Sequence, residues 1–223
     1  MISTSLRSSS RRADLLWTSR GDGDVGPGAG AAAEARRAVV RPGPWAWLCQ
    51  VHGAGVHVVT GPGGVQGSEG DALVTAAPGV ALAVFTADCA PVALMSPEGV
   101  AGLVHAGWRG LEAGVVEATV DAMRQLGATR LEAALGPCIR AECYEFGAAE
   151  LDRLVARWGP VVRARTASGR PALDLPAAVG VALERSGAEL VVDAGVCTAC
   201  STDWFSHRAR RDVGRQATVL VAA

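Results

Sequence analysis

Apolar residues come along this chain in short continuous runs rather than in strict alternation. Five runs, at 56–60, 72–74, 80–86, 92–95 and 100–104, follow one another with Gly or Pro between most of them, the punctuation that strands require. Because the runs do not alternate, both faces of these strands are predicted to be covered. The period changes after residue 110. Val115, Val116, Thr119, Ala122, Met123 and Leu126 share one face at helical spacing, so 111–126 is predicted as a helix. A strand is expected at 131–135, helices at 148–158 and 177–185, and closing strands at 190–192 and 218–221. Pro176 suits the start of the second of those helices. Residues 21–33 read as a Gly/Pro/Ala-rich loop running into a short helix at 31–40. The pattern predicts one α/β domain, with a mixed sheet or two sheets covered by helices, over residues 14–223. The polar stretch "MISTSLRSSSRR" leads to an expected disordered tail over residues 1–13.

Composition narrows the function. A chain of 223 residues supports one full core. A net charge of −1 argues against a broad nucleic-acid or anionic-membrane surface. There is no Lys, which excludes lysine Schiff-base chemistry. No apolar run reaches the roughly 20 residues of a membrane helix; the nearest, 80–95, is interrupted by Asp88 and Pro91. The polar N-terminus lacks an apolar core of the secretory kind. Six Cys without such a signal fit reduced thiols in a cytoplasmic protein.

Three residues stand where strands end. His52 in "CQVHGAG", Cys89 in "VFTADCAPVAL" and His105 in "VHAGWRG" each flank a predicted strand, and neighbouring strands bring such positions together. Two imidazoles and a thiolate are a Zn²⁺ ligand set, and three protein ligands leave the fourth position open, as in catalytic zinc sites. Copper accepts the same donors. Asp88 is a candidate partner or proton acceptor beside Cys89. The Gly-rich turn around Arg109 and Gly110 suits an anion: a guanidinium and free backbone N–H groups meet there. A second group, Cys197 and Cys200 as CxxC with His207 seven residues on, lacks the four ligands of a structural zinc site.

The segments "QVHG", "GDALVT", "TADCAPVAL", "HAGWRG", "LGPCI…CYEFG" and "CT…DWFSHR…GR" occur together and in this order. They closely resemble the bacterial laccase-domain family, formerly called multicopper polyphenol oxidases and now described as purine nucleoside phosphorylases that also deaminate adenosine. The likeness runs from about Leu15 to the C-terminus. It implies the family's α/β sandwich of mixed sheets covered by helices. It implies that His52, Cys89 and His105 are the metal and catalytic residues, with zinc. It also implies a purine nucleoside (adenosine, inosine or methylthioadenosine) and inorganic phosphate as substrates, for a monomer or homodimer. "WTSRGDGDVG" is similar to the family's N-terminal Arg-Gly stretch, with Arg20 at the Arg position; Asp22, Gly23 and Asp24 replace the usual glycine-rich form. His207 stands where Tyr is common.

On this reading Arg109, Arg20 and the amides near Gly110 hold phosphate during attack on the ribose C1′. In deamination, a water acidified by the metal toward a pKa of about 7 attacks C6 of adenine, with Asp88 moving the proton. Three rivals remain. One is a hydrolase of cell-wall precursors with Cys89 as nucleophile. Another is weak copper-dependent phenol oxidation at the same trio, since four His cannot build a multicopper centre. The last is a non-enzymatic zinc module on Cys197, Cys200 and His207.

Overall fold

The structure, a computed structural model, describes residues 1–8 and 11–222. The chain begins with β1 (Ile2–Ser8), β2 (Arg11–Trp17), α1 (Gly30–Val40), β3 (Trp45–Ala46) and β4 (Val56–Val58). The centre is built from β5 (Ala72–Thr75), β6 (Ala81–Thr86), β7 (Ala90–Met95), β8 (Ala101–Ala106), α2 (Trp108–Ala113), α3 (Val115–Gln125) and β9 (Leu131–Leu135). Then come α4 (Ala148–Trp158), β10 (Arg163–Arg165), β11 (Pro171–Leu173), α5 (Leu175–Arg185), β12 (Ala188–Asp193), α6 (His207–Arg210) and β13 (Gln216–Ala222).

Two mixed sheets result. One runs β1-β2-β13-β6-β3 and the other β12-β9-β7-β8-β5-β4, with β10 and β11 forming a separate hairpin. Every residue of β5, β6, β7 and β8 is buried, which explains the unbroken apolar runs. Along β7, Ala93 and Met95 face the other sheet and pack with Leu82 and Leu220, while Val92 and Leu94 face the helices and pack with Val116, Val120 and Val179. The core is therefore split between the layers, one part between the sheets and one under α3, α4 and α5. A third, smaller cluster with Phe85, Val219 and Trp45 covers the outer face of the five-stranded sheet. The α/β sandwich of mixed sheets is the predicted class.

Two local expectations change. Residues 2–8, expected within a disordered tail, pair residue for residue with β2, from Ile2 opposite Trp17 to Ser8 opposite Arg11. Ser9 and Ser10 of that tail lie outside the described residues. A stretch dominated by Ser, Thr and Arg gives little apolar signal, yet β1 is an edge strand, where backbone pairing suffices. The helix expected at 111–126 is two helices. Gly114 sits at φ 90°, ψ 32°, closing α2 and opening α3, a left-handed conformation that glycine adopts without the steric cost of a Cβ.

Strand register gathers three polar side chains. In the β7–β8 pair, Pro91 lies opposite His105. The β5–β8 pairing ends with His105 N–H donating to the Asp71 carbonyl at 2.7 Å. Residues 87–89 form the crossing from β6 in one sheet to β7 in the other. Asp71, Cys89 and His105 therefore meet at one end of the sandwich.

Candidate functional site

That end opens into a cavity of about 770 Å³ whose lining includes His52, Cys89, His105, Trp108, Arg109 and Tyr144. At its base the ligand atoms of His52, Cys89 and His105 all lie within 4.8 Å of one another. The two imidazole rings meet edge to face, with centroids 4.8 Å apart, and His52 Nε2 is 3.7 Å from Cys89 Sγ. Tetrahedral coordination with Zn–N near 2.0–2.1 Å and Zn–S near 2.3 Å sets that separation at about 3.6 Å. The donor set and its spacing therefore fit a zinc ion.

The trio is organised by a residue that the sequence pattern did not single out. Asp71 is wholly buried. Its Oδ1 lies 2.8 Å from His105 Nδ1 and accepts the His52 backbone N–H at 2.9 Å. Its Oδ2 accepts the backbone N–H groups of Gly53 at 2.7 Å and Val51 at 3.3 Å. One carboxylate thus orients the His105 ring, leaving Nε2 for the cavity, and holds the turn that carries His52. His52 itself has φ 59°, a left-handed backbone that this anchoring stabilises. The signal available was "GDALVT", an aspartate directly before a fully buried strand.

Electrostatics follow from the geometry. Burial alone would raise the Asp71 pKa, but the His105 ring and the Gly53 and His52 amides outweigh it and hold the carboxyl below its ordinary range. Burial also works against a Cys89 thiolate; His105 and His52 overcome it and bring the thiol down to about 6. Burial opposes charge on His105 as well, and Cys89 and Asp71 together raise it to about 9. The metal-free pair is thus a thiolate facing an imidazolium, and His105 gives up its proton when it binds a metal.

The other expected residues distribute differently. Asp88 lines the cavity, but Oδ1 accepts the Thr198 hydroxyl at 2.7 Å and Oδ2 accepts the Arg208 N–H at 2.6 Å. Its φ of 102° is a conformation costly for a non-glycine residue, so these bonds fix the turn leading into Cys89. Arg109 does reach the cavity. Its guanidinium stacks on Trp108 at 4.3 Å and forms no hydrogen bond or ion pair among the described residues. Gly110 is buried behind the site; a Cβ there would come within 3.1 Å of the Gly53 carbonyl, so it permits close packing against the His52 turn. Arg20 is absent from the cavity lining. It pairs with Asp212, donates to the Thr202 carbonyl at 3.1 Å and stacks on Phe205 at 4.6 Å, clamping the C-terminal loop.

His207 lies on the cavity wall, whereas Cys197 and Cys200 cluster with Cys143 instead. His57, on β4, is bonded to the Glu69 carbonyl. Two further features carry no sequence signal. Arg208 stacks over Tyr144 at 4.6 Å on the cavity wall. The Thr86 hydroxyl, also on that wall, is buried with no hydrogen-bond partner among the described residues.

Comparison with known proteins places this architecture. Residues 29–223 match the family described as multi-copper polyphenol oxidoreductase laccase. Purine nucleoside phosphorylase SCO2081 of Streptomyces coelicolor is 47% identical over 182 residues, covering 80% of this chain and 75% of that protein. A protein named adenosine deaminase RL5, from an unknown prokaryotic organism, is 36% identical over 151 residues, 62% of this chain and 56% of its own length. The crystal structure of Bacillus licheniformis hypothetical protein YfiH shares the fold, with a TM-score of 0.84 at 23% identity, covering 94% of this chain and 92% of that one. The chain belongs to the multi-copper polyphenol oxidoreductase laccase family.

Proposed function

Within that family, we propose that this protein is a zinc-dependent purine nucleoside phosphorylase with adenosine deaminase activity. The observation that carries the reading is the His52–Cys89–His105 cluster at the base of a cavity with aromatic walls and an uncommitted guanidinium. Relatives named purine nucleoside phosphorylase and adenosine deaminase support it. A volume of about 770 Å³ suits a nucleoside together with phosphate.

His52 Nε2, Cys89 Sγ and His105 Nε2 would hold the metal. A zinc ion bound by three protein ligands supplies a Lewis acid with an open position and a route to a nucleophile at neutral pH. The chain's own groups do the positioning. Arg109 presents a guanidinium to phosphate, and Arg208 adds positive charge from the facing wall. Trp108 and Tyr144 give the purine flat apolar surfaces, and the unpartnered Thr86 hydroxyl offers a hydrogen bond to the nucleoside. Holding phosphate and sugar in line supplies much of the rate for a reaction whose reactants are otherwise separate. In this reading Asp88 braces the Cys89 turn, and Arg20 acts on the C-terminal loop rather than on phosphate.

Only two of the four His reach the cluster. That donor set suits one metal ion and falls short of a multicopper centre. Purine release from nucleosides by the zinc-loaded protein, dependent on phosphate, tests the proposal; no release from any purine nucleoside would refute it.

A further inference from the structure

A second thiol cluster lies behind the cavity wall. Cys143, at the end of a short helical turn (Ala141–Cys143), meets Cys197 and Cys200 of the CxxC turn. The three sulfurs lie within 4.8 Å of one another, and Cys143 Sγ is 3.1 Å from Cys200 Sγ. Tetrahedral zinc with Zn–S near 2.3 Å places sulfurs about 3.8 Å apart, so small shifts bring the trio onto one ion. Glu142 stands beside them, with Oε1 3.5 Å from Cys200 Sγ. A sulfur and a carboxylate oxygen on one tetrahedral zinc are separated by about 3.6 Å.

We propose that Cys143, Cys197 and Cys200, completed by Glu142, form a second, structural zinc site distinct from the His52–Cys89–His105 cluster. Three thiols are a soft donor set that favours zinc over the oxygen-seeking metals. Hydrogen bonds fix the turns that carry the three thiols. The Arg140 backbone N–H donates to Cys197 Sγ at 3.4 Å. The Arg210 guanidinium donates to the carbonyls of Ala199 at 3.1 Å and Thr198 at 3.0 Å, inside the CxxC turn. Binding deprotonates the thiols and releases their protons to solvent. The CxxC that the sequence left two ligands short is completed across the fold, from a turn more than fifty residues earlier, and not by His207.

The location gives the site its purpose. Cys143 precedes Tyr144 of the cavity wall, and Thr198, inside the CxxC turn, donates to Asp88 beside Cys89. Zinc here ties the two turns together and braces the wall of the first cavity.

The test is the zinc content of the full chain, loaded with zinc salt under a phosphine reductant and passed through gel filtration. Wild type is expected to retain two zinc ions per chain, Cys89→Ala one, and Cys143→Ser/Cys200→Ser one. X-ray absorption at the zinc edge of the Cys89→Ala protein should give a coordination shell dominated by sulfur. In that same variant, zinc at a hundred times its dissociation constant should raise the Tm by about 5 °C or more. The proposal is overturned if Cys89→Ala retains no zinc, if its zinc shell contains only nitrogen and oxygen, or if Cys143→Ser/Cys200→Ser binds as much as wild type. Should the double variant fail to fold, the sulfur count on Cys89→Ala decides alone. None of these readouts depends on nucleoside turnover, so failure here leaves the proposed activity standing.

Discussion

His105 Nδ1 lies 2.8 Å from Asp71 Oδ1, and both side chains are shut off from solvent. The same carboxylate holds three successive backbone N–H groups of the His52 turn. One buried charge therefore positions two of the three cluster residues. Such outer partners of a metal ligand are typically worth about 10–100-fold in affinity. Asp71→Asn is expected to weaken zinc binding by about that factor in a chelator competition. Unchanged affinity would show that the cluster does not depend on Asp71.

The pH behaviour of the metal-free protein follows from the same contacts. Cys89 is held at about 6 against an ordinary 9.0, so its stabilising contribution is complete above 9 and lost as pH falls through 6. His105 is raised to about 9 from 6.5, so its contribution is complete below 6.5 and lost as pH rises through 9. Metal-free protein should be most stable between about pH 6 and 9, and alkylation of Cys89 by iodoacetamide should rise with a midpoint near 6. A midpoint near 9 would mean that the imidazoles do not stabilise the thiolate.

Gly107 separates the strand carrying His105 from α2, and a Cβ there would lie 2.9 Å from the His52 ring and 3.1 Å from Cys89 Sγ. Its φ of −74° is open to any residue, so Gly107→Ala acts through the clash alone. Overpacking of this kind costs about 1–3 kcal/mol. Displaced onto two of the proposed metal ligands, it should reduce zinc affinity roughly tenfold or more while the circular dichroism spectrum stays that of wild type. Full zinc binding by the variant would remove the steric account of this glycine.

Among the described residues Arg109 makes no hydrogen bond or ion pair, only its stack on the Trp108 ring. Arg109→Ala should therefore leave zinc content unchanged and raise the KM for phosphate by about 10–100-fold, the worth of a hydrogen bond to a charged group at roughly 1.5–3 kcal/mol. An unaltered phosphate KM would move the anion site elsewhere on the wall.

The parts of this structure that could be read from sequence are those whose signal is local. Buried strands such as β7, β8 and β9 announce themselves as apolar runs, and α4 by its period, because both faces of a strand or one face of a helix must leave water. His52, Cys89 and His105 were legible because their types are scarce and each marks a strand end. Asp71 was marked only by its place in "GDALVT"; its role lies in contacts with residues eighteen to thirty-four positions away. The surroundings of Arg20 were hidden for the same reason: a motif position does not reveal that Asp212 and Phe205 engage the guanidinium. The Cys143 contribution to the CxxC turn was equally hidden, because only the fold closes a separation of fifty-seven residues.

The central claim is that the His52–Cys89–His105 cavity handles purine nucleosides. The most direct measurement is to incubate zinc-loaded protein with adenosine, with and without inorganic phosphate, and to separate the products by chromatography. The account predicts adenine and ribose 1-phosphate only when phosphate is present, and inosine in its absence. Neither product from protein confirmed to hold zinc at the cluster would contradict it.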